Sequence, residues 1–132
     1  MTTKAVADWL IATVESDLSV ADCKKGWPAF DRPDIAAGAY IGWNTTNPMY
    51  GERVSASLDR WETQFNLLVV TANEVALWAM LDLMETMAET RTAATISSKG
   101  TRIRFAPIER ADNPFANNAL RYAAQTTIQF VR

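Results

Sequence analysis

Histidine is absent from the 132-residue chain, and cysteine occurs once, as Cys23. Histidine is the commonest general base in enzymes and the commonest metal ligand, so its absence excludes a Ser-His-Asp triad and a Cys-His pair. A single cysteine can form no intramolecular disulfide and cannot build a structural zinc site alone. Folding in a reducing cytoplasm is therefore expected.

Glycine motifs and long apolar runs are also missing. The glycines at positions 26, 38, 42, 51 and 100 are isolated, so no GxGxxG or GxxxxGK[ST] phosphate-binding motif occurs. No acidic spacing resembles a calcium loop, and no cofactor or metal site is expected. The N-terminus lacks a signal peptide's apolar stretch, and no run reaches about 18 apolar residues. The sequence therefore predicts a protein that spans no membrane and is not exported by that route.

The composition is that of an ordinary folded domain. Apolar residues make up 48% of the chain and charged residues 21%, which disfavours the disordered, collagen-like and membrane classes. A chain of 132 residues fits one domain with one core. The net charge of -2 argues against a sequence-blind DNA coat or an anionic membrane as the main partner.

The N-terminal half predicts one helix and short strands. Apolar residues in segment 3–17 recur at the i, i+3, i+4 spacing of a helix with one buried stripe. Segments 18–25 and 40–45 predict short strands. Segment 26–38 contains glycine and proline and predicts a surface loop, and segment 46–57 shows neither period and predicts a long loop.

Segment 58–89 changes its pattern twice. Residues 58–66 alternate apolar with polar, which predicts a strand with one face toward water, and residues 67–70 are apolar on both faces, which predicts that both are covered. Asn73 is the expected N-cap of a second helix to about residue 89, with Glu74 at its positive end. The apolar stripe of that helix is predicted to pack on the sheet.

The C-terminal part predicts further strands. Segments 93–97 and 101–108 are expected to pair through a turn at 98–100, segment 110–118 reads as a polar loop, and segment 120–131 alternates as a long strand. The expected fold is a single α/β domain of the α+β type over residues 1–132. Its mixed sheet is predicted to be mainly antiparallel, with both helices packed largely on one face.

Trp78 is the most informative residue of the second helix. Its neighbours at i-4, i+4 and i+7 are Glu74, Asp82 and Glu85, so Trp78 should point away from the core. One interpretation is an indole that leans onto the flank of the sheet or of the first helix. The other is a protein interface, since an exposed tryptophan among charges is typical of binding hot spots.

Two arginines on one strand face form the second feature. Arg102 and Arg104, with Arg121 on a neighbouring strand, would make either a basic contact strip or a solvated sheet face. RNA readout is disfavoured because Phe105 and Tyr122 lie on the opposite alternation. An acidic helix face on one copy would complement the arginines of another, and such head-to-tail contact predicts a closed ring.

The predicted loops carry both apolar and acidic residues. Met49, Tyr50 and Phe115 lie in loops and are either loop cores or assembly contacts. The acids at positions 31, 34 and 52 keep one enzyme hypothesis open, a small hydrolase that uses carboxylates alone.

The layout of the chain resembles a known family. The sequence runs from the amphipathic helix AVADWLIATVES through a loop with DRPD to RWETQFNLLVVTANEVALWAMLDLMETM as strand and helix, and it closes on ALRYAAQTTIQFV. This layout resembles the tail terminator, or tail completion, proteins of long-tailed bacteriophages over nearly the full chain. The resemblance implies a hexameric ring that caps the tail tube, stops its polymerisation and docks the head.

The resemblance also implies partners and a location. They are further copies of the chain, the tail tube protein and a head-tail connector or neck protein, with DNA only passing through a central channel and no membrane. The protein would act in the virion tail after assembly in the bacterial cytoplasm, and not as an enzyme. The alternative within the same class is another neck or head-tail connector adaptor protein. The family has no short motif to transfer, so the interface hypothesis rests on the residue patterns alone.

Overall fold

The computed structural model describes residues 3–26, 37–43, 62–110 and 122–131. The helices within these residues are α1 (Thr3–Asp17) and α2 (Glu74–Thr90). The strands are β1 (Cys23–Lys25), β2 (Gly38–Trp43), β3 (Glu62–Val70), β4 (Ala93–Ile96), β5 (Lys99–Phe105), β6 (Glu109–Arg110) and β7 (Ala123–Val131). Neither described helix has the length and apolar character needed to cross a bilayer.

The strands form one sheet in the order β1-β2-β3-β7-β5-β4, with β6 also paired to β7. The β1 and β2 strands run parallel, and the other pairs run antiparallel. The central pair, β3 and β7, matches residue for residue from Glu62 opposite Val131 to Val70 opposite Ala123. The predicted α+β class with a mainly antiparallel mixed sheet is confirmed.

Both helices cover the same side of the sheet, called here the helix face. Buried residues of α1 and α2 share one apolar cluster with alternate residues of the strands, as predicted. Phe130 lies in this cluster with 0% exposure. Its ring meets Trp9 at 5.8 Å and Phe65 at 6.1 Å between centroids, both edge to face. Such edge-to-face pairs add to the stabilisation from apolar burial.

The remaining strand residues form the second side of the sheet, called here the polar face. Near its middle, the hydroxyl of Thr127 donates to the Oδ1 atom of Asn66 at 2.9 Å. At one end, Leu68 and Val70 are buried although they lie outside the helix-face cluster. Both faces are therefore covered over residues 67–70, as the sequence predicted.

Local signals set the limits of α2. The side-chain oxygen of Asn73 accepts a hydrogen bond from the backbone N–H of Ala76 at 2.9 Å, which confirms the predicted N-cap. Leu77, Met84 and Met87 are buried on the face that packs against the sheet. The predicted apolar stripe is confirmed because the 3.6-residue period aligns these side chains.

The β4–β5 turn differs from the prediction. The turn residues are Ser97 and Ser98, with φ of 51° and 63°, and Ile96 pairs with Lys99. A two-residue turn with positive φ at both positions matches the twist of the strands. The predicted turn at 98–100 is wrong because the register that places Ile96 and Ile103 in the core fixes an earlier turn.

Two other boundaries also differ. Leu18 closes the C-terminal turn of α1 and packs in the core, so the predicted strand at 18–25 shortens to β1. Arg110, predicted in a loop, belongs to β6. The predicted loop at 46–57 lies outside the described residues, as do most of the loops at 26–38 and 110–118.

The path from β5 to β6 contains one extra residue. Phe105 stands opposite Ile128, whereas Glu109 stands opposite Gln125, so four steps along this segment match three along β7. Pro107 lies within the interruption and has no backbone N–H to donate to a ladder. The irregularity is a β-bulge, which reverses the side to which successive residues point.

Candidate assembly surfaces

Trp78 points away from the core. Its side chain is 61% exposed on the outer side of α2. The predicted orientation is confirmed, because a tryptophan that lay flat on the sheet or on α1 would be largely covered. An exposed indole of this size is available for contact with another molecule.

Other apolar side chains accompany Trp78 on the outer side of α2. Val75 is 81% exposed, and Ala79 and Leu83 are exposed as well. We call these residues with Trp78 the outer strip. Val75, Ala79 and Leu83 were not predicted as part of this surface, because the carboxylates around Trp78 give no signal for them. Their spacing of 75, 78, 79 and 83 is a second helical period, offset from the buried stripe.

The charges around the outer strip are acidic. Asp82, Glu85 and Glu89 are exposed, and α2 contains no basic residue. Glu74 differs from them, because its carboxylate lies 3.3 Å from Nη2 of Arg110. The two predicted interface acids without this internal ion pair are Asp82 and Glu85.

Arg102 and Arg104 project from β5 on the polar face. Both are exposed and stand opposite Val131 and Gln129 of β7. Neither forms an ion pair or side-chain hydrogen bond with another residue in the described part of the chain. Arg121, the third arginine of the predicted strip, lies outside that part.

A groove lies beside these arginines. Its volume is about 470 Å³, and we call it the polar groove. The residues that matter for its chemistry are Glu62, Ala93, Arg102, Arg104, Gln129 and Val131. It therefore combines guanidinium groups, a carboxylate, an amide and apolar side chains.

Glu62 is the unexpected member of the polar groove. The alternation of β3 predicts that Glu62 faces water, but the residue is only 6% exposed. The prediction is wrong because neighbouring strand residues cover this position, and Nε2 of Gln129 donates a hydrogen bond to Oε1 of Glu62. No other described residue donates to this carboxylate. A buried carboxylate with spare acceptor capacity is costly unless a further donor is supplied.

The outer strip and the polar groove lie on opposite sides of the molecule. The α2 helix packs on the helix face, whereas Arg102, Arg104 and Glu62 belong to the polar face. The sheet separates the two surfaces, so one chain cannot bring its own Trp78 to its own groove. Any contact between them joins two copies.

Metal clusters and the cysteine thiol can be assessed among the described residues. No cluster of three or more Cys, Asp or Glu residues that could hold a metal occurs in the described ranges. Burial, together with the negative charges of Glu15 and Asp22, raises the pKa of the Cys23 thiol to about 12. The protonated thiol is a poor nucleophile.

Several predicted site residues lie outside the described residues. Among the interface candidates these are Met49, Tyr50 and Phe115, and among the carboxylates of the hydrolase hypothesis they are the acids at 31, 34 and 52. No protein-family model matches the chain, and no curated protein matches its sequence. Among the described residues, the candidates for a contact with another molecule are those of the outer strip and the polar groove.

Proposed function

We propose that this protein is a structural subunit of a bacteriophage virion that forms a ring on the end of the tail tube. The ring stops tube polymerisation and provides the surface on which the head docks. The single observation that carries the proposal is the pair of complementary surfaces on opposite sides of the chain. Trp78 and its acids lie on one side, and Arg102 and Arg104 lie on the other.

Surfaces of this kind favour a ring over a symmetric dimer. A contact between two different patches is head-to-tail, and it closes into a ring when the rotation between neighbours divides a full turn. Tryptophan and arginine are among the residue types that dominate binding energy at interfaces, and here Trp78 is exposed while Arg102 and Arg104 have no partner among the described residues. The expected number of six copies follows from the resemblance to tail terminators.

The proposal includes specific partners. The ring binds the tail tube protein on one side and a head-tail connector or neck protein on the other, and DNA passes through its channel. Met49, Tyr50 and Phe115 remain candidates for these contacts. The protein needs no cofactor for this role and acts by binding alone.

The first test is the mass of the purified protein over a range of concentrations, measured by light scattering after size exclusion. A species near six copies that appears as a ring in negative stain supports the proposal. The ring is then added to polymerising tube protein encoded by the same genome. Tubes capped at one end and stopped in growth support a terminator.

Two results would direct the assignment elsewhere. A ring that binds the head connector but leaves tube growth unchanged assigns the protein to the neck adaptors. A protein that stays monomeric, both alone and in the presence of tube ends, contradicts the ring proposal.

A further inference from the structure

We infer that the polar groove of one copy receives Trp78 of the next copy, with Glu62 accepting the indole N–H. In the same contact, Asp82 and Glu85 pair with Arg102 and Arg104. The inference rests on the proposed self-assembly and specifies which surfaces meet.

Because the sheet lies between Trp78 and the polar groove of the same chain, the tryptophan that enters the groove must come from a second copy. The outer strip and the polar groove lie on opposite sides of the sheet, so the contact cannot form within one chain. Because the two patches differ, each copy keeps one free groove and one free Trp78 after pairing with a neighbour. This contact can therefore extend from copy to copy.

The polar groove fits an indole in size and chemistry. Its volume of about 470 Å³ lies in the range of pockets that hold a side chain or small ligand. Ala93 and Val131 supply apolar surface for the ring. A buried tryptophan requires an acceptor for its Nε1–H, and the Glu62 carboxylate receives only one donor from the described residues.

The charges also correspond in number and spacing. Arg102 and Arg104 are two residues apart on a strand, so their Cα atoms are roughly 6–7 Å apart. Asp82 and Glu85 are three residues apart on a helix, and their Cβ atoms are roughly 5–6 Å apart. Both acids share the side of α2 that carries Trp78, so entry of the indole brings them toward the arginines. A guanidinium can also stack on the indole.

The internal ion pair of Glu74 sharpens the assignment. Its carboxylate already contacts Arg110 of the same chain. The Glu74 carboxylate therefore helps to hold α2 against β6. The acids that remain for charge contacts between copies are Asp82 and Glu85.

The test uses two variants, each of which removes one half of the contact. Trp78→Ala removes the side chain that enters the groove and leaves the groove intact. Arg104→Glu reverses a charge in the groove and leaves Trp78 intact. Each variant alone should be monomeric at concentrations where the wild type is assembled. An equimolar mixture should form a one-to-one dimer and nothing larger, because only one productive contact remains. Native mass spectrometry and light scattering measure both states.

Two controls exclude loss of folding and non-specific charge effects. At a concentration where the wild type is monomeric, both variants should have the same melting temperature as the wild type. If the charge reversal unfolds the chain, Arg104→Gln replaces Arg104→Glu. Lys99→Glu makes the same charge change on β5 outside the groove, and it should assemble like the wild type.

Each outcome separates this inference from the proposed function. Rings that persist in Trp78→Ala or Arg104→Glu overturn the groove contact and leave the ring function standing. Open filaments of the wild type, with dimers in the mixture, support the groove contact and overturn the closed ring. A wild type and a mixture that both stay monomeric, alone and in the presence of tube ends, overturn both.

Discussion

The two sides of the sheet differ in how their interactions are satisfied. On the helix side, apolar side chains fill one cluster, and Asp8, Asp17 and Glu74 of the two helices have partners in the same chain. Nε and Nη2 of Arg91 donate to the two carboxylate oxygens of Asp17 at 2.8 Å each. Asp8 accepts from both Lys4 and Lys25. Between the helices and the sheet, these interactions serve folding, whereas Trp78, Asp82 and Glu85 on the outer side of α2 have no such partner among the described residues.

The polar face keeps interaction capacity unused. Arg102 and Arg104 have no charge partner among the described residues, and the carboxylate of Glu62 receives a single donor there. Natural proteins rarely leave buried polar groups under-satisfied without a functional reason. In this fold, burial alone does not indicate a contact surface. Polar groups without enough hydrogen-bond or charge partners in the described residues do indicate one.

The largest expected change in stability comes from removing the aromatic ring of Phe130 from the core on the helix face. Phe130→Ala removes a fully buried side chain and should lower the free energy of unfolding by about 3–5 kcal/mol. Val131→Ala, one residue along on the polar face, should lower it far less because Val131 is only partly buried. Urea denaturation measures both values. Equal losses would contradict the assignment of the core to the helix face.

The next effect compares arginines on the two sides. Arg91→Met breaks the two-bond contact with Asp17, so the urea midpoint should fall, by a small fraction of the Phe130→Ala change. At concentrations where the protein is monomeric, Arg102→Met should leave the midpoint unchanged, because Arg102 has no partner to lose within the described residues. A fall for Arg102→Met as large as that for Arg91→Met would show that Arg102 stabilises the monomer.

Features with local causes were predictable from the sequence. The period of α2 and the capping residue Asn73 lie within one segment, so the start and buried side of the helix follow from nearby residues. Alternation similarly predicted the inward set of β7 and the outward set of β5. The exposure of Trp78 followed from the same local geometry.

Features that depend on distant strands were not predictable. The burial of Glu62 requires β7 as a neighbour, and the position of the β4–β5 turn depends on which residues reach the core. The polar groove is built by β3, β5 and β7 together with the start of β4, which lie far apart in sequence. A one-dimensional pattern contains no information about which strands become neighbours.

A smaller effect concerns the hairpin that carries Arg102 and Arg104. Ser98 has a φ of 63°, a conformation that glycine adopts without strain. Ser98→Gly should raise the free energy of unfolding by up to about 1 kcal/mol. The same change within α1, Ser16→Gly, should lower it by about 0.5 kcal/mol because glycine weakens a helix. Thermal unfolding of both variants gives the two signs, and a loss of stability for Ser98→Gly would contradict the turn.

The smallest expected effect is on the rate at which the Cys23 thiol is alkylated. Because Cys23 is buried on the helix face, this rate reports how often that face opens. Burial raises the pKa of this thiol from 9.0 to about 12, so iodoacetamide should react slowly with the native protein and rapidly in urea. Because the folded pKa exceeds the unfolded one, this group destabilises the fold only as pH rises above about 9. Rapid native alkylation near pH 8 would show that the helix face opens readily.

The β-bulge at Pro107 reverses the sides of the sheet to which even- and odd-numbered residues point. Arg102 and Arg104 precede it and project from the polar face, whereas Arg110 follows it and reaches Glu74 on the other side. If a segment of the same length continued as a regular strand with no bulge, Arg110 would project from the polar face together with Arg102 and Arg104. Deleting one residue at this point would remove the bulge, restore regular alternation and leave Arg110 opposite Ala124, on the side of Glu74. Through one extra residue, a single strand path thus places positive charge on both sides of the sheet.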